Sequence, residues 1–260
     1  MITMEWQTKI QTLYNKFLFS LGLCDLCGNY LSDKIMPNQT LLCSSCFADL
    51  PLFKQELIQG DLLNWPSINK ALPNSHFDHL VCLSPYLPPF TQWLPQFKYQ
   101  GRFELASLFA KLLAQRWENE NLIKLASTVD LILSVPLHIS KWQIRGYNQA
   151  HLLAANFAKK ANISYLPNAI KRTHKNISQA GQTGAARRKN LRHAFKLSTE
   201  HLTDKKIQLP EHVILLDDVV TTGSTCNEIC RLLKNNGVKK VTVLSICLSL
   251  PDNAVNANCN

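Results

Sequence analysis

The sequence predicts an α/β fold, an open parallel sheet with helices on both faces, carrying a small four-cysteine module at its N-terminal end. Three observations predict it. The run Val213-Ile214-Leu215-Leu216 reads as a strand buried on both faces; a polar loop, a helix and a second apolar strand, Val241 to Leu248, follow it. Leu131 to Leu137 opens the same series: buried strand, polar basic loop, amphipathic helix. Near the start, Cys24-Asp25-Leu26-Cys27 and Cys43-Ser44-Ser45-Cys46 form two C-x-x-C pairs with fifteen residues between them.

Composition sets the bounds. A chain of 260 residues, 46% of them hydrophobic, is enough for one α/β core and a small accessory module. A net charge of +10 favours an anionic partner. The charge is uneven: no Asp or Glu lies between Asp130 and Glu200, whereas twelve Lys and Arg residues do. A solvated basic face and a polyphosphate or nucleic-acid surface fit that interval about equally. No apolar run approaches the roughly 18 residues that a membrane helix needs, so no membrane insertion is expected. Phe17 to Leu23 is short and follows a segment that carries Glu5, and Leu23 before Cys24 is a poor lipoprotein junction, so no leader is expected. A cytoplasmic location is expected, and there the nine cysteines argue for metal or buried thiols rather than disulfides.

The elements follow in order. Trp6, Ile10, Leu13, Tyr14 and Phe17 mark one face of a helix. Cys24, Cys27, Cys43 and Cys46 come next, and four thiolates so spaced can close a tetrahedron around a structural zinc ion. Residues 1–50 are assigned to this helix and module, 51–80 to a connector with a short helix near Phe53 to Leu63, 81–250 to the α/β domain, and 251–260 to a frayed tail. Val81 to Tyr86 is a strand. The aromatics of Trp93 to Arg102 either pack between the modules or form a base-stacking platform flanked by Lys98 and Arg102. Leu105, Leu108, Phe109, Leu112 and Leu113 share a helix face. The loop from Lys141 to Ala150 carries Arg145 and Gly146, placed to meet a pyrophosphate or DNA; Ala150, Leu153, Ala154, Phe157 and Ala158 line the next helix. Thr173 to Arg192 is polar and basic, a mobile lid or an ordered binding loop, with Gln179, Gly181, Arg187 and Arg188 as its contacts. Ala194 to Leu197 suits an edge strand. Cys82, Cys226, Cys230, Cys247 and Cys259 read as core or incidental residues.

The chemistry concentrates between Val213 and Thr225. Asp217 and Asp218 stand where the strand is expected to end, and Val219-Val220-Thr221-Thr222-Gly223-Ser224-Thr225 leads into a helix that Gly237 is placed to stop. A loop entering a helix offers unpaired backbone N–H groups and the positive end of the helix dipole. Gly223 allows close backbone approach, and the hydroxyls add donors. The two acids would repel a phosphate, but they can accept hydrogen bonds from neighbouring hydroxyls or hold a divalent cation. A ribose 5-phosphate has hydroxyls and a phosphate at that spacing. No G-x-x-x-x-G-K-[ST] sequence occurs in the chain.

This stretch resembles the phosphoribosyl pyrophosphate (PRPP) loop of type I phosphoribosyltransferases. Further matches are the four cysteines, Lys98-Tyr99 with Gly101-Arg102, and Pro136-Leu137 followed by Arg145-Gly146-Tyr147-Asn148-Gln149-Ala150. Ser178-Gln179, Arg188, Asn190 and Ala194-Phe195 add to them. Together they identify the chain as similar to the ComF family of competence and DNA-uptake proteins, which includes GntX-like members. The resemblance implies a type I phosphoribosyltransferase-like domain with an N-terminal zinc finger, and a role in natural transformation or the use of external DNA. It implies single-stranded DNA and DNA-uptake or recombination proteins as partners. It also implies PRPP or ribose 5-phosphate as ligand, with the acids on the ribose hydroxyls and the Thr/Gly/Ser loop on the 5-phosphate.

Two readings of function stand side by side. As an enzyme, the protein would bind PRPP with magnesium at Asp217 and Asp218, the candidate catalytic pair, and release pyrophosphate toward Arg145 while an acceptor attacks the anomeric carbon. As a nucleic-acid-binding factor, it would dock a phosphate or phosphoribose in the same pocket and grip a single strand with its basic loops. A regulator with a vestigial PRPP pocket is a third reading.

Overall fold

A computed structural model describes residues 21–31, 41–118, 128–173, 194–198 and 209–249. The expected N-terminal helix around Trp6 to Phe17, the loop contacts Gln179, Gly181, Arg187 and Arg188, and the tail from Pro251 lie outside the described residues.

Five strands form one sheet: β1 (His79–Pro85), β2 (Leu131–Ser134), β3 (Ser164–Tyr165), β6 (His212–Val220) and β7 (Lys240–Leu248), in the order β1-β7-β6-β2-β3. Every neighbouring pair in it is parallel. A separate antiparallel pair joins β4 (Ile170–Arg172) to β5 (Phe195–Leu197). The helices are α1 (Ser44–Ala48), α2 (Gln55–Ile58), α3 (Pro66–Ala71), α4 (Phe90–Tyr99), α5 (Glu104–Trp117), α6 (Ile139–Arg145), α7 (Gln149–Ala161) and α8 (Ser224–Asn235).

Because side chains alternate along a strand, the apolar runs feed two cores. Val81, Leu83, Ile214, Leu216, Leu244 and Ile246 point to one face, where Leu105, Phe109 and Leu113 of α5 and Leu153 and Phe157 of α7 cover them. Leu80, Cys82, Val213, Leu215, Val241 and Val243 point to the other, under Cys226, Ile229, Cys230 and Leu233 of α8. At about 1.5–3 kcal/mol for each large apolar side chain buried, these runs are the main favourable term for the domain. Residues 51–80 also supply Phe53, Ile58, Leu62, Ile68, Leu72 and Phe77 to the second core. Their weak periodicity has a simple cause: each short helical turn contributes only one or two of them.

Two boundaries differ from expectation. The β6 strand runs through the acid pair, with Asp217 opposite Ser245 and Val220 opposite Leu248, because β7 is long enough to keep pairing. The stretch from Lys141 is largely helix: α6 ends at Arg145, and Gly146 closes it at φ 74°. Asn148 then caps α7 by accepting from the Ala150 N–H.

The cysteine module docks onto the segment after β1. Asp25, inside the first C-x-x-C pair, accepts from both terminal nitrogens of Arg102, at 2.9 and 3.2 Å, and from Trp93 Nε1 at 2.8 Å. Arg102 also donates to Glu104 and Gln96, both at 2.8 Å, and is 0% exposed. Arg102 is therefore a buried tie between module and domain rather than a pyrophosphate or DNA contact, since its donors are spent inside the protein. Trp93 and Phe97 are buried, so packing claims those aromatics; Tyr99 stays 60% exposed.

Candidate functional site

The sheet order sets where a ligand would sit. From β2 the chain crosses to β3 on one side, and from β6 it crosses to β7 on the other. The order therefore reverses between β2 and β6, and in open parallel sheets such a switch point leaves a crevice beyond the strand C-terminal ends. A cleft of about 400 Å³ lies there, lined by the segment 135–138, by 217–226, and by side chains of α4, α6, α7 and β4.

One wall is the loop into α8. Gly223 is the N-cap at φ 65°, a left-handed conformation that glycine adopts without strain. It has no side chain to cap the helix, and Gly223 to Cys226 of the first turn line the cleft. Leu72 Cδ2 would lie 3.2 Å from a Cβ at this position, so the core behind the loop also excludes a larger residue. The Thr222 and Ser224 hydroxyls are 2.9 Å apart, and Thr221, Thr225, Val219 and Val220 complete the wall. The floor is held by hydrogen bonds to backbone carbonyls: the Val135 N–H donates to Leu216, the Ser249 N–H to Val220, and Asn148 Nδ2 to Val135.

The acids sit beside this loop. Lys98 Nζ on α4 is 3.1 Å from Asp218 Oδ2, with only 19% and 14% of the two side chains exposed. Asp217 Oδ1 accepts from the Asp218 N–H at 2.8 Å, and the Cys226 thiol donates to Oδ2 at 3.8 Å. Burial, with the Asp218 carboxylate second, pushes the Asp217 carboxyl up to about 7. The pair is thus not two free carboxylates, and a divalent cation seated on Asp218 Oδ2 would have to displace the Lys98 ammonium.

Cationic side chains also line the cleft. Arg145 donates to Gln149 Oε1 at 2.9 Å and to the Tyr99 hydroxyl at 2.8 Å, and its guanidinium lies 4.7 Å from the Tyr99 ring centre. Its Nε is buried without a hydrogen-bond partner among the described residues. Lys141 and Arg172 line the cleft beside it. Of the residues singled out from sequence, Asp217 to Thr225, Lys98 and Arg145 come together. Gly146 serves as the stop of α6 rather than as a wall of the cleft. Lys141, Asn148 and Gln149 had no assigned role, and Arg172 and Tyr86 had no signal beyond charge or aromaticity. They arrive from separate elements that only the tertiary fold brings together.

The four cysteines of the module form a second constellation. Their sulfurs all lie within 4.8 Å of one another, and Cys27 and Cys43 are 3.7 Å apart. A tetrahedron with Zn–S bonds of about 2.3 Å has edges near 3.8 Å, so the spacing suits that metal. Backbone N–H groups of Cys43 and Cys46 point at the sulfurs of Cys24 and Cys43, at 3.3 and 3.5 Å. The cluster is consistent with a zinc finger, held by four ligands with no open position. Among the described residues, no helix is long and apolar enough to cross a membrane.

A parallel sheet with helices on both faces, a cleft at its switch point and a glycine-capped hydroxyl loop define a protein of the phosphoribosyltransferase-fold class. A family model, the phosphoribosyl transferase domain, matches residues 149–254. Among relatives, Competence protein F of Haemophilus influenzae is 33% identical over 85% of this chain and 88% of that protein. DNA utilization protein YhgH of Escherichia coli O157:H7 is 31% identical over 88% of this chain and 91% of its own length. The chain belongs to the family of these competence and DNA utilization proteins. The glutamine PRPP amidotransferase of B. subtilis, solved with ADP and GMP, superposes at a TM-score of 0.37 with 17% identity, covering 58% of this chain and 30% of that one.

Proposed function

We propose that this protein acts in the use of external DNA and binds a 5-phosphorylated ribose, as ribose 5-phosphate or PRPP, in the cleft between β2 and β6. The observation that carries this is the adjacency of an acid pair and an uncapped, hydroxyl-rich helix start in one cleft. The two parts suit different ends of one ligand: hydroxyl donors for Asp217 and Asp218, a phosphate for Thr221 to Thr225. Single-stranded DNA is its macromolecular partner, met on the cytoplasmic side through the basic residues from Lys141 to Lys196, together with proteins of DNA uptake or recombination. The relatives' names and the acid-free interval support that part. A zinc ion on Cys24, Cys27, Cys43 and Cys46 has a structural role.

Calorimetry with phosphate, ribose 5-phosphate and PRPP tests the pocket. Replacing Asp217 with Asn and Asp218 with Ala should weaken ribose 5-phosphate about tenfold or more and leave phosphate nearly unchanged. Replacing Thr222 and Thr225 with Val should weaken both. Equal binding of ribose 5-phosphate by the acid-pair variant and the parent would reduce the cleft to a generic anion site. A second reading, an active phosphoribosyltransferase, is favoured by Arg145 and Arg172, which line the same cleft as the acids and could hold a leaving pyrophosphate. Release of pyrophosphate from PRPP in the presence of an acceptor would select it. Salt-dependent gel shifts of single-stranded DNA without turnover would select the binding reading.

A further inference from the structure

The Lys98–Asp218 pair gives the cleft a charge balance that a metal-dependent site does not need. Lys98 reaches Asp218 from α4, an element separate from the sheet, and both side chains are largely shielded from water. Ion pairs are least screened in such places. The position is fixed from behind: Trp93 of the same helix donates to Asp25, and Phe97 is fully buried. Lys98 therefore stands on a helix clamped to the cysteine module and is not a wandering surface lysine.

Charge then decides what the cleft will accept. Lys98 pairs directly with Asp218, and Lys141 and Arg145 also line the cleft. A divalent ion placed on Asp218 Oδ2 would have to displace the ammonium. A carboxylate has about four lone-pair sites, so Asp218 can keep Lys98 and still accept from a sugar hydroxyl.

We propose that Lys98 is the built-in cation of this cleft: it holds on Asp218 the place a divalent metal would take, so that a sugar 5-phosphate binds without magnesium. The inference rests on the ribose-phosphate reading above, and the test separates the two. Ribose 5-phosphate is titrated by calorimetry into the full-length protein, once with magnesium and once with EDTA, and into Lys98→Met and Lys98→Arg. The parent should bind with the same Kd, within about twofold, in both buffers. Lys98→Met should bind about tenfold more weakly in EDTA, the effect of losing one charge-assisted contact, and recover with magnesium. Lys98→Arg, which keeps the charge, should bind in EDTA. A parent that binds about tenfold more tightly with magnesium overturns the role of Lys98 and leaves the ribose-phosphate reading standing. A Lys98→Met protein that binds in EDTA like the parent overturns it too. No binding to the parent in either buffer defeats both readings. Should Lys98→Met fail to fold, the parent's two titrations decide alone.

Discussion

Replacing Asp25 with Asn tests how the cysteine module is tied to the domain. Asp25 is 2% exposed at its side chain, and Arg102 is fully buried. Removing one partner of a buried pair leaves an uncompensated charge, at a cost of about 3–5 kcal/mol. Here Arg102 keeps Glu104 at 2.8 Å, which places the expected loss near ~3 kcal/mol, the lower end of that range. Asn keeps the shape and one acceptor, so Trp93 Nε1 retains a partner and the knuckle is not distorted. For a domain of this size a loss of that order lowers Tm by roughly 6–12 °C. The exposed Lys239–Glu211 pair is the control; Glu211→Gln should cost less than ~1 kcal/mol. Scanning calorimetry of the zinc-loaded parent and both variants makes the comparison. Adding Arg102→Met to Asp25→Asn should recover part of the loss, because the orphaned charge leaves with it. A fall in Tm under ~2 °C for Asp25→Asn would refute the reasoning and leave the module independent of the Arg102 segment.

The other predictions concern the two sites. Cys43→Ser should lower zinc, measured by elemental analysis, from about one ion per chain to near none, because a four-ligand structural site does not close with three thiolates. Gly223→Ala should destabilise by on the order of 1–2 kcal/mol through its left-handed φ, and should weaken phosphate binding as Leu72 is displaced. Asp217 sets a pH dependence. Its folded-state value, about 7, lies above the ordinary 3.8, so its contribution to stability is full below about pH 4 and is lost as pH rises through 7. Asp217→Asn should therefore raise Tm at pH 8, and the gain should shrink as pH falls and vanish only below about pH 4. Ribose 5-phosphate affinity of the parent should rise over the same interval as the carboxylate forms. A Tm difference independent of pH would show that Asp217 is ionised throughout.

Much of this protein is written in local pattern. The apolar runs at Leu131, Val213 and Val241 name the strands, since a strand buried on both faces needs no alternation, and the spacing of Cys226, Ile229, Cys230 and Leu233 names α8. The doubled C-x-x-C and the Asp-Asp-x-x-Thr-Thr-Gly-Ser-Thr run state their chemistry because each puts its functional groups within a few residues. What the tertiary structure alone decided is which distant residues meet. Arg102 stands beside Lys98 in the chain and carries the same charge, yet one is spent on Asp25 in the interior and the other reaches Asp218 in the cleft. No local rule separates them, because the partner of each lies tens of residues away and burial is set by how α4 packs. The same holds for Arg172 and Lys141, which enter the cleft from a small antiparallel pair and a short helix. Sequence determined the elements and the functional groups gathered at one loop. The long-range packing of α4, α6 and β4 against the switch point determined the charge that faces it.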